Sequence, residues 1–125
     1  MCLGVRLPDD VWQVIVDYLL KYRNIVAPDG LREWTENNLD ITLFDGGAFL
    51  SHQNEFDLFV VPEKRGKWRI RSVINGFLND MLEKHQKIVV KIYPDNAPSL
   101  RLAKGFGFTE VGRENGMIRL EKQHG

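Results

Sequence analysis

The feature that most constrains the fold is one long amphipathic segment between two short apolar ones. Residues 68–84 are predicted as a helix with a single buried face, because apolar side chains recur at the spacing i, i+3, i+4, i+7: Ile70, Val73, Ile74, Phe77, Leu78, Met81 and Leu82. Residues 55–61 and 87–93 flank this helix; both are apolar and end at a proline, which is typical of buried strands. A strand–helix–strand unit predicts a right-handed crossover between parallel strands.

Shorter elements are predicted on both sides of this crossover. Gly46-Gly47 and Asn115-Gly116 indicate hairpin turns, since these residues accept positive φ. Gly76 lies inside the long helix, where it costs about 1 kcal/mol relative to alanine, and this predicts close packing at that point. The remaining predicted elements are a strand at 5–7, helices at 9–24 and 31–38, strands at 41–45 and 48–52, a helix from Asn96 through Ala103, and strands at 109–113 and 117–122.

Composition narrows the class of protein. The chain has 125 residues, enough for one domain over residues 1–125, and its 17 basic and 17 acidic residues cancel. A zero net charge supplies no global attraction to nucleic acid or to an anionic membrane. The one cysteine, Cys2, cannot form an internal disulfide. No apolar run is long enough to span a membrane, and no signal peptide is evident, so the prediction is a cytoplasmic protein.

Two segments are candidate binding sites. Residues 60–67, Val-Val-Pro-Glu-Lys-Arg-Gly-Lys, follow a strand and precede the long helix, whose N-terminal N–H groups would suit a phosphate. On spacing alone, this segment is equally well explained as an ordinary turn with solvated basic residues. The second segment runs from Asn96 to Phe108 and, taken alone, is a capped helix with a glycine break.

Together the two segments resemble the GNAT superfamily of acetyl-CoA-dependent N-acetyltransferases. In that family a loop of the form Pro-x-x-Arg-Gly-x-Gly-x-Gly/Ala holds the cofactor pyrophosphate, and Pro62, Arg65, Gly66 and Lys67 match it. A later family pattern begins with Asn and closes with Gly-Phe twelve residues on; its positions here are Asn96, Ser99, Leu100, Leu102, Gly107 and Phe108. The resemblance is specific from about Glu55 to Gly112.

The resemblance implies an α/β (α+β) fold with a mixed, mostly antiparallel sheet, a central parallel strand pair and flanking helices. It also implies acetyl-CoA as cofactor. Backbone groups of Phe59 and Val61 would hold the pantetheine arm, Asn96 would bond it, and Arg69 and Arg71 could reach the 3′-phosphate. The residues implied in cofactor binding are Phe59, Val60, Val61, Arg65, Gly66, Lys67, Trp68, Arg69, Ile70, Asn96 and Ser99.

Three positions depart from the family pattern. Trp68 and Ile70 stand where the family has glycine or alanine, and they either crowd the phosphate or point into the core. Ala103 replaces a tyrosine that in many members protonates the leaving thiolate.

An amine acceptor must lose a proton, and Glu55, Asp57 and His52 are the candidate bases; each has the alternative of being a solvated surface group. Trp12 and Trp34 are expected to pack in the helical layer, and Tyr93 to be structural or to line the acceptor pocket.

The predicted function is transfer of an acetyl group to a small-molecule or peptide amine, without a metal. The alternative is a GNAT-like module that has lost the cofactor and serves as a structural or protein-binding unit. A third possibility is a small nucleic-acid-binding protein that uses the basic segment. Its affinity for nucleic acid would have to fall steeply with added salt. The sequence carries no motif for the acceptor, for which a shallow, open groove is predicted, and none for an oligomeric state.

Overall fold

The computed structural model describes residues 5–66 and 68–124, apart from the side chain of Trp68. Within these ranges, no helix has both the length and the apolar character needed to cross a membrane. The elements are α1 (Asp9–Arg23), α2 (Leu31–Asn38), β1 (Asp40–Phe44), β2 (Gly47–His52), β3 (Glu55–Val60), a 3-10 turn (Pro62–Lys64), α3 (Trp68–His85), β4 (Lys87–Ile92), α4 (Ala97–Gly105), β5 (Thr109–Glu114) and β6 (Met117–Gln123).

The six strands form one mixed sheet in the order β1-β2-β3-β4-β6-β5. β3 and β4 run parallel, with Glu55 opposite Val89, whereas β1–β2, β4–β6 and β5–β6 are antiparallel. The parallel pair follows from the crossover through α3, since a connection of this length is what parallel neighbours need. The predicted fold class, with a central parallel pair in an otherwise antiparallel sheet, is confirmed.

The chain divides into two compact units, one containing the residues up to His52 together with Leu58–Ile70 and the other containing Gln53–Asp57 and the residues from Arg71 onward. Organisation as one domain stays a prediction. In the first unit α1 buries Val11 and Ile15 against Ala48 and Leu50 of β2. Leu7, Phe59 and Val61 complete this core. Val11 and Ile15 are four residues apart, so they mark the face of α1 that packs on the sheet.

The strand predicted at residues 5–7 is wrong, because this segment pairs with side chains instead of with another strand. The N–H group of Leu7 donates to Glu36 Oε2 at 2.7 Å, and the carbonyl of Leu7 accepts from the Arg32 guanidinium. Glu36 is buried, and Arg32 lies 3.5 Å from it. These two charged side chains of α2 satisfy the backbone groups that a sheet ladder would otherwise satisfy.

In the second unit, α3 buries Ile74, Leu78, Met81 and Leu82, as its periodicity predicts. The Phe56 ring meets the Phe77 ring edge-on, with 5.2 Å between centroids. The expectation of close packing at Gly76 is wrong, since a Cβ atom placed there meets no atom within 4 Å. Gly47 is the tightly packed glycine: its Cβ would lie 2.5 Å from Phe44 Cζ and closer still to the Phe59 carbonyl oxygen.

These two glycines give opposite expected effects on stability. Gly76→Ala should raise the free energy of unfolding by roughly 0.5–1 kcal/mol, because alanine restricts the unfolded chain and meets open space in the helix. Gly47→Ala should lower it by about 2 kcal/mol, since Phe44 and the backbone of β3 must shift. Urea denaturation of both variants measures the two changes. A destabilised Gly76→Ala would contradict the open environment described for that position.

Candidate functional site

The segment between β3 and α3 is a short, open loop. After Val61, the 3-10 turn Pro62–Lys64 is followed by Arg65 in an extended conformation and by Gly66 at φ +75°. A Cβ atom at Gly66 would meet nothing within 4 Å, so the backbone here is accessible from outside. α3 begins two residues later. The first N–H groups of a helix have no intrahelical partner, so the loop leads directly to a row of available donors.

Hydrogen bonds tie this loop to the β1–β2 hairpin of the same unit. The N–H of Val61 donates to the Gly46 carbonyl at 2.8 Å, and Lys64 Nζ lies 3.2 Å from Asp45. Arg65 turns back and donates from Nε to the Val60 carbonyl at 2.9 Å. The resemblance assigns backbone groups of Phe59 and Val61 to the pantetheine arm, and of these the Val61 N–H is engaged within the protein.

The basic residues of the loop differ in their surroundings. Arg69 is exposed on the first turn of α3, while the Arg71 guanidinium lies 5.1 Å from the centre of the Phe106 ring. Ile70 is half-buried. Lys67 and the side chain of Trp68 lie outside the described residues. The accessible backbone at Gly66, the helix N-terminus and the exposed cations Arg65 and Arg69 fit a pyrophosphate in charge and donor type.

Asn96 caps α4, as the sequence predicts. Its side-chain oxygen accepts from the Ser99 N–H at 3.4 Å, so the carbonyl end of the Asn96 amide is directed to the helix. Ala103 is half-buried, and its backbone carbonyl accepts from both Phe106 and Phe108 at 3.1 Å. These bonds close the C-terminal end of α4 before the Gly107 turn. Position 103 carries no group that could donate a proton.

The three candidate bases lie in different environments. Glu55 and Asp57 are two residues apart on β3 and therefore share a face of the sheet. Glu55 is ion-paired with Lys91 at 3.2 Å. Asp57 makes no ion pair with any described residue, and water reaches its side chain. His52 is exposed at the end of β2, in the first unit.

Asp57 is the carboxyl group with a markedly altered proton affinity. Crowding by protein atoms removes much of its solvation and raises its pKa to about 6; the charge on Glu55 also raises it, and Lys91 opposes the rise. Partial exposure of the side chain argues for a smaller effect of desolvation than crowding suggests. The upward direction holds, because the like charge on the same face acts in the same sense. A carboxyl group that titrates near neutrality is a general-base candidate.

A chain of ion pairs extends from Glu55 across the sheet, and the sequence analysis did not identify it. Lys91 on β4 contacts Glu55 and, at 3.5 Å, Glu114 on β5. The chain continues on β6 through Arg119, which lies 3.1 Å from Glu114 and 2.9 Å from Glu121; Glu121 in turn lies 3.6 Å from Lys87. Charged residues at even spacing within a strand, Lys87 and Lys91 four apart on β4 and Arg119 and Glu121 two apart on β6, are the signal that could have indicated it.

The predicted packing of the aromatic residues is confirmed for Trp12 but not for Trp34. Trp12 packs against the core of the first unit, with the Arg32 guanidinium 6.0 Å from its ring. The expectation for Trp34 is wrong: this residue is 54% exposed, because α2 turns its Thr35–Glu36 face inward. Tyr93 is half-buried. A hollow of about 290 Å³ lies beside Trp12 in the first unit and is bordered by Val26, Asp29 and Arg32.

The comparisons with known proteins identify the class of fold. No protein-family model matches the sequence, and no curated protein is similar to it. Among solved structures, the ribosomal-protein-alanine N-acetyltransferase of Brucella melitensis superposes with a TM-score of 0.69 at 15% identity, covering 98% of this chain and 100% of that one. The putative acetyltransferase yncA of Salmonella typhimurium, solved with acetyl-CoA, gives 0.66 at 16% identity, covering 98% and 94%.

A third match is partial. The spermidine/spermine N-acetyltransferase SpeG of Vibrio cholerae gives a TM-score of 0.52 at 23% identity, over 62% of this chain and 56% of that one. The chain therefore has the GNAT fold that these acetyltransferases share. At these identities the likeness concerns the fold.

The raised pKa of Asp57 makes a prediction about stability. A carboxyl whose folded pKa of about 6 exceeds its unfolded value of 3.8 stabilises the protein below pH 3.8, and this contribution is lost as the pH rises through 6. Asp57→Asn cannot ionise, so its stability relative to the original protein should increase between pH 4 and pH 8. Solvent screening limits the gain to about 1 kcal/mol. Urea unfolding at both pH values measures it; an unchanged difference would contradict the raised pKa.

Proposed function

We propose that the chain is an acetyltransferase that transfers the acetyl group of acetyl-CoA to an amine. The observation that carries this proposal is the open Gly66 backbone two residues before the start of α3, in a chain with the GNAT fold. Bound acetyl-CoA would supply an acetyl group activated as a thioester. The chain would have to hold the cofactor, receive the amine and remove its proton.

In this proposal, the loop holds the phosphates. Gly66 and the first turn of α3 donate backbone N–H groups, and Arg65, Lys67 and Arg69 supply positive charge. Arg65 exchanges its bond to the Val60 carbonyl for a phosphate oxygen. Backbone groups of Phe59, Val60 and Val61 hold the pantetheine arm, and the Val61 N–H does so by leaving the Gly46 carbonyl. Trp68 and Ile70 border the phosphates. Ser99 and the amide nitrogen of Asn96, whose oxygen serves the helix, bond the arm.

Asp57 is the proposed general base. An amine at neutral pH is largely an ammonium ion, and it becomes a nucleophile only after losing a proton. Asp57 can take that proton, directly or through one water molecule, because it makes no ion pair within residues 5–66 and 68–124 and titrates near pH 6. Glu55 is less suited, since its carboxylate is already ion-paired with Lys91. His52 is retained as a candidate only by its position at the end of β2.

A second function has specific support in the loop. The Val61 N–H and the Arg65 side chain both have partners within the first unit, and Ala103 lacks a proton donor. A chain that had lost the cofactor would be expected to satisfy its loop internally in this way. The alternative is therefore a GNAT-fold protein-binding module, and cofactor binding distinguishes the two functions.

Calorimetric titration with acetyl-CoA tests the proposal. We expect one saturable site per chain, and Arg65→Glu should weaken binding by roughly 10- to 100-fold, since a charge-assisted hydrogen bond to phosphate is replaced by repulsion. Arg23→Glu is the matched control, because it makes the same charge change on an exposed residue at the end of α1. It should bind like the original protein. Absence of binding at millimolar acetyl-CoA would refute the enzymatic function and leave the protein-binding module.

Replacing the base should separate chemistry from binding. Asp57→Asn should lower kcat by about 100-fold or more and leave the affinity for acetyl-CoA unchanged, because the amide cannot accept the proton. In the original protein, kcat/KM should rise with pH through about 6 as Asp57 ionises. Pre-steady-state and steady-state assays over pH 5–9 with a panel of amines measure both effects. Equal activity of the two proteins would exclude Asp57 as the base.

A further inference from the structure

The two acidic residues of β3 share a face but have different partners. Glu55 lies 3.2 Å from Lys91 Nζ, whereas Asp57 makes no ion pair with any described residue. Two carboxylates at i and i+2 on a strand are close enough to influence each other's ionisation. A cation that pairs with one of them therefore also affects the proton affinity of the other.

Lys91 is the cation that pairs with Glu55. It lies on β4, the strand beside β3 in the sheet, and its side chain is only 21% exposed. It contacts Glu55 on one side and Glu114, at 3.5 Å, on the other. Its ammonium group is thus held between two carboxylates from different strands and has little freedom to leave Glu55.

The neighbours of Lys91 reinforce this arrangement. Arg119 lies 3.1 Å from Glu114, and its hydrogen bond lowers the pKa of that carboxyl, which stays charged beside Lys91. The hydrogen bond to Glu55 is the main cause that raises the pKa of Lys91. The chain Lys87–Glu121–Arg119–Glu114–Lys91–Glu55 contains three cations and three carboxylates in alternation. Every charge in it has a partner, and Asp57 stands beside its last member.

We propose that Lys91 is a positioning residue that makes the two carboxylates of β3 unequal, holding Glu55 in an ion pair and leaving Asp57 as the one that exchanges a proton. The inference rests on the proposed function in one respect, namely that Asp57 is the base. Among the described residues, the charges that act on Asp57 are Glu55 on its own strand and Lys91 on β4. Lys87, Glu114, Arg119 and Glu121 lie further along the chain of ion pairs. The negative charge on Glu55 favours protonation of Asp57, and Lys91 limits this effect.

The proposal predicts shifts of opposite sign in two variants. Lys91→Met removes the cation, so the titration midpoint of Asp57 should move upward from about 6. Glu55→Gln removes the like charge, so the midpoint should move downward. Each shift should be roughly 0.5 of a pH unit, as expected for a partly exposed charge pair. The midpoint is read from the carbon-13 chemical shift of the Asp57 carboxyl in the full chain, without cofactor or acceptor.

Two further variants separate this role from a structural one. Lys87→Met removes a cation from the same face of β4 that pairs with Glu121 and not with Glu55, so the Asp57 midpoint should stay within about 0.1 of a pH unit. Lys91→Arg keeps the charge and should restore the midpoint toward that of the original protein. General loosening of the sheet would move the Asp57 midpoint in the same direction in Lys91→Met, Glu55→Gln and Lys87→Met, and would refute the proposal.

The outcome is independent of the enzymatic assay. Opposite shifts in Lys91→Met and Glu55→Gln support the positioning role even if acetyl-CoA does not bind, in which case only the proposed function fails. Unchanged midpoints in both variants, alongside normal acetyl-CoA binding, overturn the positioning role and leave the proposed function standing. Where the protein is active, the acidic limb of its pH profile should move with the midpoint in each variant.

Discussion

The parallel junction of β3 with β4 is the constraint on which the rest of the structure depends. Glu55 is opposite Val89, and the Val89 N–H donates to the Asn54 carbonyl at 2.9 Å. Parallel neighbours cannot be joined by a tight turn, so the chain must leave the end of β3, form α3 and return. The loop at 61–67 therefore leads from the end of a strand into a helix N-terminus. Placement of a possible phosphate site there is a consequence of topology before it depends on any particular side chain.

The ion pairs of the second unit have different effects on folding stability and on the ionisation of Asp57. Partly exposed ion pairs such as those of Arg119 and Lys91 each contribute little to the folding free energy. Their charges also bear on the ionisation of Asp57, because burial and the charge on Glu55 raise its pKa to about 6 while Lys91 opposes the rise. On β6, the buried residues Ile118 and Leu120 alternate with the charged residues Arg119 and Glu121, so one face of this strand carries charge.

The loop combines features that favour a ligand with features that satisfy the protein alone. Gly66 at φ +75° leaves the backbone open, a conformation that few other residues adopt without strain. Arg65 and Val61 nevertheless have partners on β3 and in the β1–β2 hairpin. Exchange of these bonds for phosphate and pantetheine is inexpensive if the new acceptors are at least as good, and charge-assisted bonds to phosphate are stronger than a bond to a neutral carbonyl.

The sequence by itself determined the helices, the strands, the crossover and the resemblance to the GNAT fold, because these depend on periodicity, turn residues and local spacing. Interactions between residues far apart in sequence overturned the predicted strand at 5–7, where Glu36 and Arg32 take the backbone groups of Leu7. The exposure of Trp34 and the open space around Gly76 likewise depend on which face of a helix packs. For the candidate site, sequence identified Glu55 and Asp57 together; only tertiary structure placed Lys91 beside one of them, because their environments come from strands that are distant in the chain.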